Sequence, residues 1–117
     1  MNVQKPKKYD AAMFDIDDTL ISSKTGKRKE VVYKLYTLLQ NMGYKMIIVT
    51  ARPGFAANVA WTERQLASHG ITYDQLVFTP AENKGNFKKR SGYNFIYSVG
   101  DLDTDLTHTK YAVKISR

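Results

Sequence analysis

Residues 11–19 read Ala-Ala-Met-Phe-Asp-Ile-Asp-Asp-Thr. Four apolar residues that give way at once to a run of acids describe a short buried strand ending in a polar turn. Side chains two apart in an extended segment share a side, so Asp15 and Asp17 face one centre while Ile16 turns to the core. Two acids aimed at one place repel each other. A divalent cation between them and a second acidic cluster relieves that repulsion, and carboxylates, water and a phosphate oxygen are the ligands Mg²⁺ prefers.

Beyond this turn, residues 22–29 form a loop, and from Val31 the apolar residues Val31, Leu35, Leu38 and Met42 recur at helical spacing, widened by Val32 and Leu39 and stopped by Gly43. Residues 45–49 make a second apolar run closed by Thr50. After Arg52-Pro53-Gly54 a second helical stretch covers about 55–68, with Gly70 as its stop. Residues 75–78 read as a third strand, 83–90 as a basic helical turn, 95–99 as a fourth strand ending in Gly100-Asp101, and 111–115 as a fifth. Strands alternating with helices predict a parallel sheet covered on both faces. The expected fold is α/β, a doubly wound, Rossmann-like three-layer sandwich with about five strands. In such sheets ligands bind beyond the carboxyl ends of the strands, which is where this chain carries Asp15 and Asp17, Thr50, and the cluster Asp101, Asp103 and Asp105.

The chain has 117 residues, a length that suits one domain over residues 9–117 behind a basic tail, residues 1–8. It has no cysteine, which excludes a disulfide scaffold, a Cys zinc site, a thiol nucleophile and an iron–sulfur cluster. No apolar run is long enough to span a membrane, and the tail has no apolar segment of a secretory signal, so a cytoplasmic setting without membrane contact is expected. Eighteen Lys and Arg stand against eleven Asp and Glu, a net charge of +7, and six of the eleven acids sit in the two clusters. The remaining surface is strongly basic and favours anionic partners. Nothing in the sequence points to an oligomer.

The second cluster, Gly100-Asp101-Leu102-Asp103-Thr104-Asp105, places several oxygens in one turn. Lys84 or Lys88 can pair with these acids and with a transferred phosphoryl group. Asp101, Asp103 and Asp105 also mimic the start of an EF-hand loop, but that loop needs Gly at its sixth position and Glu at its twelfth, and the chain has Leu106 and Ala112 there. Gly26-Lys27 lacks the earlier Gly of a P-loop and is followed by Arg28 in place of Ser or Thr. A metal-dependent nuclease or topoisomerase-primase-like domain would need a glutamate after an earlier strand, and none precedes Asp15. His69 and His108 read as surface residues. Trp61 and the eight tyrosines read as packing residues, with Tyr93 and Tyr97 placed to line the entrance.

The combination of Asp-Ile-Asp-Asp-Thr at 15–19, Thr50 closing a strand, a lysine, and Gly-Asp-x-x-x-Asp at 100–105 resembles the haloacid dehalogenase superfamily of phosphohydrolases, over residues 9 to about 107. Thr50-Ala51-Arg52-Pro53, then Thr62, Leu66 and Gly70, is similar to its acid-phosphatase branch, which includes plant vegetative storage proteins. The resemblance implies that Asp15 attacks phosphorus and carries an aspartyl-phosphate, and that Asp17 serves as general acid and then base. It implies that Thr50, the Ala51 N–H and Arg52 meet the substrate, and that Asp15, the Asp17 carbonyl, Asp101 and Asp105 hold Mg²⁺. Two positions fit the lysine. Lys84 leaves about two helical turns before the fourth strand and is preferred, whereas Lys88 leaves barely one, although Phe87-Lys88 fits the aromatic–lysine pair of that branch.

Members of this superfamily often carry a cap domain, but the intervals here, residues 20–29 and 79–83, hold none. An open site on a basic surface predicts a phosphorylated substrate such as a nucleotide or a nucleic-acid end. The competing expectations are a non-catalytic phosphate- or nucleic-acid-binding protein on the same fold, and a phosphotransferase using the same aspartate.

Overall fold

The computed structural model describes residues 5–116, and residues 1–4 of the basic tail lie outside the described residues. Strand β1 (Asp10–Phe14) is followed by helix α1 (Glu30–Met42), β2 (Lys45–Thr50), α2 (Ala56–Ser68), β3 (Gln75–Phe78), a 3-10 turn (Ala81–Asn83) running into α3 (Lys84–Arg90), β4 (Asn94–Gly100), a second 3-10 turn (Asp103–Asp105) and β5 (Tyr111–Lys114). The strands form one sheet in the order β3-β2-β1-β4-β5, and every pairing is parallel. The doubly wound α/β expectation therefore describes this molecule.

Alternation along the strands makes the three layers. Ala12, Phe14, Met46, Ile48 and Val99 face one way and meet Val32, Tyr36 and Leu39 of α1 and Leu66 of α2. Ala11, Met13, Ile47, Val49 and Phe95 face the other way and pack with Phe87 of α3. Strands buried on both faces read as unbroken apolar runs, and residues 11–14 and 46–49 are completely buried. Gly43 ends α1 with φ of 102°, a conformation that a Cβ would strain. Among the described residues, no helix is long and apolar enough to cross a membrane.

The packing face of α1 differs from its expected stripe. Val31 is 83% exposed and Leu38 48% exposed, whereas Val32, Tyr36 and Leu39 are buried. Tyr36 decides the rotation of the helix. Its ring meets Phe14 edge to face at 4.9 Å, and its hydroxyl donates to the Thr72 carbonyl at 2.6 Å. An aromatic ring buried with a satisfied hydroxyl removes more apolar surface from water than Val31 or Leu38 would. Two further expectations are corrected. Tyr97 does not line the site entrance but is buried between the rings of Tyr44 and Tyr111. Tyr93 lies just before β4, at the end of the sheet opposite the acidic turn.

Candidate active site

The chain runs out from central β1 first to β2 and β3 and then back across to β4, so the crevice between the carboxyl ends of β1 and β4 is the switch point of the sheet. Asp15 stands there because the β1–β4 ladder continues one residue past the strand, its N–H donating to the Val99 carbonyl at 3.1 Å. Beyond it the backbone tightens into a single turn in which the N–H groups of Thr19, Leu20 and Ile21 all point at the Ile16 carbonyl, at 3.1, 2.9 and 3.0 Å. Buried Ile16, Leu20 and Ile21 anchor that turn. A small flap follows, closed by an antiparallel bridge between Ile21 and Arg28.

Asp18, grouped with the first acidic cluster by sequence, belongs to this flap. It adopts a left-handed backbone (φ 59°), and its carboxylate accepts from the Ser23 N–H at 3.0 Å and from the Ser23 hydroxyl at 2.7 Å. Asp103 likewise lies outside the centre, on the surface 2.9 Å from Lys114 Nζ.

The remaining acids converge. One carboxylate oxygen from each of Asp15, Asp101 and Asp105 lies within 4.8 Å of the other two, and all three residues are buried. Lys84, the first residue of α3 and 1% exposed, sets its ammonium 3.1 Å from Asp15 Oδ1 and 2.6 Å from Asp105 Oδ1. Three carboxylates around one ammonium leave an excess of negative charge in a poorly solvated place. Burial and the neighbouring Asp105 charge outweigh the attraction of Lys84 and push the Asp15 carboxyl up to about 7. Three buried carboxylate oxygens so close together suit a hard divalent cation such as Mg²⁺. Asp15 and Asp101 offer it side-chain oxygens, while Asp105 already accepts from Lys84 and, through Oδ2, from the Leu102 N–H at 3.2 Å.

The two lysines are separated by their partners. Lys84 bridges the acids, whereas Lys88 gives its ammonium to the Ser98 hydroxyl at 2.9 Å, the Asp105 carbonyl at 2.5 Å and the Thr107 carbonyl at 2.7 Å. These contacts use all three of its donors, and burial lowers its pKa to about 8. Lys88 thus ties down the turn that carries Asp105, one layer behind the acids. Gly100 has a related role. A Cβ there would stand 2.3–2.5 Å from the Asp105 side chain, so only glycine lets that carboxylate fold back beneath the strand.

Across the crevice, Thr50 ends β2 fully buried, its Oγ1 accepting the Arg52 N–H at 3.2 Å, and Ala51 is exposed beside it. The Asp17 carboxylate does not join the three buried acids. Arg52 holds it in a fork, Nε to Oδ2 at 2.9 Å and Nη2 to Oδ1 at 2.8 Å. Arg52 Nη1 donates to Thr62 Oγ1 at 3.1 Å and to Gln65 Oε1 at 2.8 Å, and Trp61 lies 5.2 Å from the guanidinium, half exposed. Ser98, Gly100, Thr62 and Gln65 are site-supporting residues that sequence reasoning did not assign. The Thr62 spacing from Thr50 was the signal for one of them. Comparison with models of known protein families finds no match, and comparison with curated proteins finds none.

Proposed function

We propose that this protein is a Mg²⁺-dependent phosphomonoester hydrolase that works through an aspartyl-phosphate on Asp15, as the likeness to haloacid dehalogenase phosphatases implies. The observation that carries the reading is the meeting of Asp15, Asp101 and Asp105 within 4.8 Å, with Lys84 on two of them, at the switch point of the sheet. Asp15 and Asp101, with Asp105 behind them, would hold a cation, which when bound would neutralise charge on the phosphoryl oxygens. It also favours the ionised form of Asp15, which burial otherwise opposes.

In the first step Asp15 attacks phosphorus and the bond to the ester oxygen breaks, the leaving oxygen taking its proton from Asp17. In the second, water attacks the same phosphorus while Asp17 takes a proton from it, releasing phosphate and restoring Asp15. Lys84 keeps Asp15 and Asp105 together without repulsion, and the Thr50 hydroxyl is a preorganised donor for a phosphoryl oxygen. Asp17 reaches the leaving group only when Arg52 lets go of it. An arriving phosphoryl group offers the guanidinium an alternative anion of matching geometry, so substrate entry and release of Asp17 are one event.

The flap, residues 17–28, and the link of residues 79–83 are too short to enclose a ligand. An uncovered site admits the end of a large molecule, and the exposed Lys24 and Lys27 of the flap suit a nucleotide or a polynucleotide end. The test is phosphate release from p-nitrophenyl phosphate, mononucleotides and end-phosphorylated oligonucleotides, with Mg²⁺ or with EDTA. Release that requires Mg²⁺ and vanishes in Asp15→Asn supports the reading. Transfer to added alcohols in preference to water identifies a phosphotransferase, and absence of release from every substrate, with Mg²⁺ bound, leaves a binding protein.

A further inference from the structure

Six of the eleven acids gather at one end of the strands. Asp15, Asp17, Asp18, Asp101, Asp103 and Asp105 all lie beyond the carboxyl ends of the strands. At the opposite end, where β1, β2 and β4 begin, Lys7, Lys8 and Lys45 are exposed, and Lys89 and Arg90 are exposed where α3 ends. Among the described residues two acids lie at this end and both are occupied: Asp74 Oδ2 accepts the Met46 N–H at 2.7 Å, and Asp10 is held by its own surroundings. Its Oδ2 accepts the Lys7 N–H at 2.9 Å and its Oδ1 accepts from Asn94 Nδ2 at 3.0 Å.

An open cleft of about 360 Å³ lies at this end, lined by Lys7, Lys8, Tyr9, Lys45 and Tyr93. Tyr9 is 59% exposed, with Lys8 Nζ 5.4 Å from its ring centroid. The backbone that displays the ring is fixed, because the Tyr9 carbonyl accepts the Asn94 N–H at 2.8 Å at the edge of the sheet. Tyr93 is fixed too, its ring set edge-on against Phe95 at 6.1 Å. An anchored, exposed ring among three ammonium groups is the pairing that single strands use, bases stacking on the ring and phosphates meeting the lysines.

We propose that this cleft binds single-stranded nucleic acid, with a base stacked on Tyr9 and backbone phosphates held by Lys7, Lys8 and Lys45. An acidic peptide would use the lysines and leave the rings idle, and a membrane surface would meet a flat or protruding face better than a concave one. The cleft lies a strand's length from the three acids, so this binding does not depend on the chemistry proposed for them.

The test is fluorescence anisotropy of a labelled oligothymidylate or oligouridylate without terminal phosphate, in EDTA, with the full chain. Lys7→Ala/Lys8→Ala/Lys45→Ala weakens binding at least tenfold and reduces the slope of log Kd against log salt by about two, at roughly 0.7 per phosphate contact on a single strand. Tyr9→Ala weakens binding about tenfold with an unchanged salt slope. Lys34→Ala/Arg64→Ala/Lys114→Ala removes the same charge from exposed positions elsewhere and leaves Kd within twofold. Equal losses in the two triple variants, no binding by the parent chain, or displacement by polyglutamate as effective as by unlabelled strand overturns the proposal. Hydrolysis of p-nitrophenyl phosphate by the Lys7, Lys8 and Lys45 variant, measured in parallel with Mg²⁺, reports separately on the phosphatase reading.

Discussion

Arg52 grips Asp17 through two parallel hydrogen bonds, of 2.9 and 2.8 Å, across thirty-five residues of sequence. The same guanidinium satisfies the hydroxyl of Thr62, which is completely buried. Arg52 therefore supports the fold and, under the phosphatase reading, the chemistry as well. In Arg52→Ala the Thr62 hydroxyl loses its partner inside the core, and a loss of about 1–2 kcal/mol is expected in urea unfolding. Under the phosphatase reading KM rises roughly tenfold or more, as removal of a charged hydrogen bond predicts, with a smaller change in kcat. Arg52→Lys, which keeps the charge but not the fork, recovers only part of the KM defect in steady-state kinetics.

Lys84 makes the acidic centre tolerable without a cation. Lys84→Met leaves Asp15 and Asp105 buried and facing each other, and removing one partner of a buried ionic cluster costs about 3–5 kcal/mol. Denaturant melts in EDTA are expected to show this loss at neutral pH. The loss shrinks as pH falls below about 7, where Asp15 takes up a proton, and Mg²⁺ recovers part of it.

Gly100→Ala brings a methyl group into the space of the Asp105 side chain. Overpacking of this kind costs about 1–3 kcal/mol, and the relief available to the chain is to push the acidic turn outward. Calorimetric titration with Mg²⁺ is therefore expected to show weakened binding in a protein that remains folded by circular dichroism.

Asp15 makes a pH prediction whose sign is opposite to that of an ordinary paired carboxylate. Its pKa in the folded metal-free protein is raised to about 7, so between about 4 and 7 the native state holds a proton that the unfolded chain has lost. Stability from this group falls as pH rises through that window. The effect is a few kcal/mol in order of magnitude, from roughly 1.4 kcal/mol per pH unit. In EDTA, Asp15→Asn is expected to remove this part of the decline and to melt higher than the parent at pH 8 but not at pH 4. Mg²⁺ binding below pH 7 is expected to release protons, which calorimetry in buffers of different ionisation enthalpy measures.

Much of this molecule was legible in its sequence because the relevant signals are local. Strands buried on both faces are unbroken apolar runs, so residues 11–14 and 46–49 stand out, the half-buried edge strand 75–78 is marked by its shorter run, and the helix stop at Gly43 is visible as a single residue. The acids at the strand ends followed from the same reading, since topology alone carries Asp15 and Asp101 to one edge. The face of α1 did not follow. Val31 and Leu38 share helical spacing with the core residues, and only the contact between Tyr36 and Phe14 settles the rotation. The Arg52–Asp17 fork, the Ser98 partner of Lys88 and the need for glycine at 100 were also out of reach. Each depends on side chains brought together from distant segments or on a close approach in space, and neither leaves a period in the sequence.

An aspartyl-phosphate on Asp15 is read directly by acid-quenched labelling of the protein with a ³²P-phosphomonoester in Mg²⁺, followed by peptide mapping. Label is expected on the peptide containing Asp15, sensitive to hydroxylamine as an acyl phosphate is. The label is absent in EDTA and in Asp15→Asn, and it accumulates in Asp17→Asn, where the second step lacks its base. Turnover of the same ester with no label at Asp15 in any of these proteins, or turnover that survives Asp15→Asn, would contradict an aspartyl-phosphate mechanism.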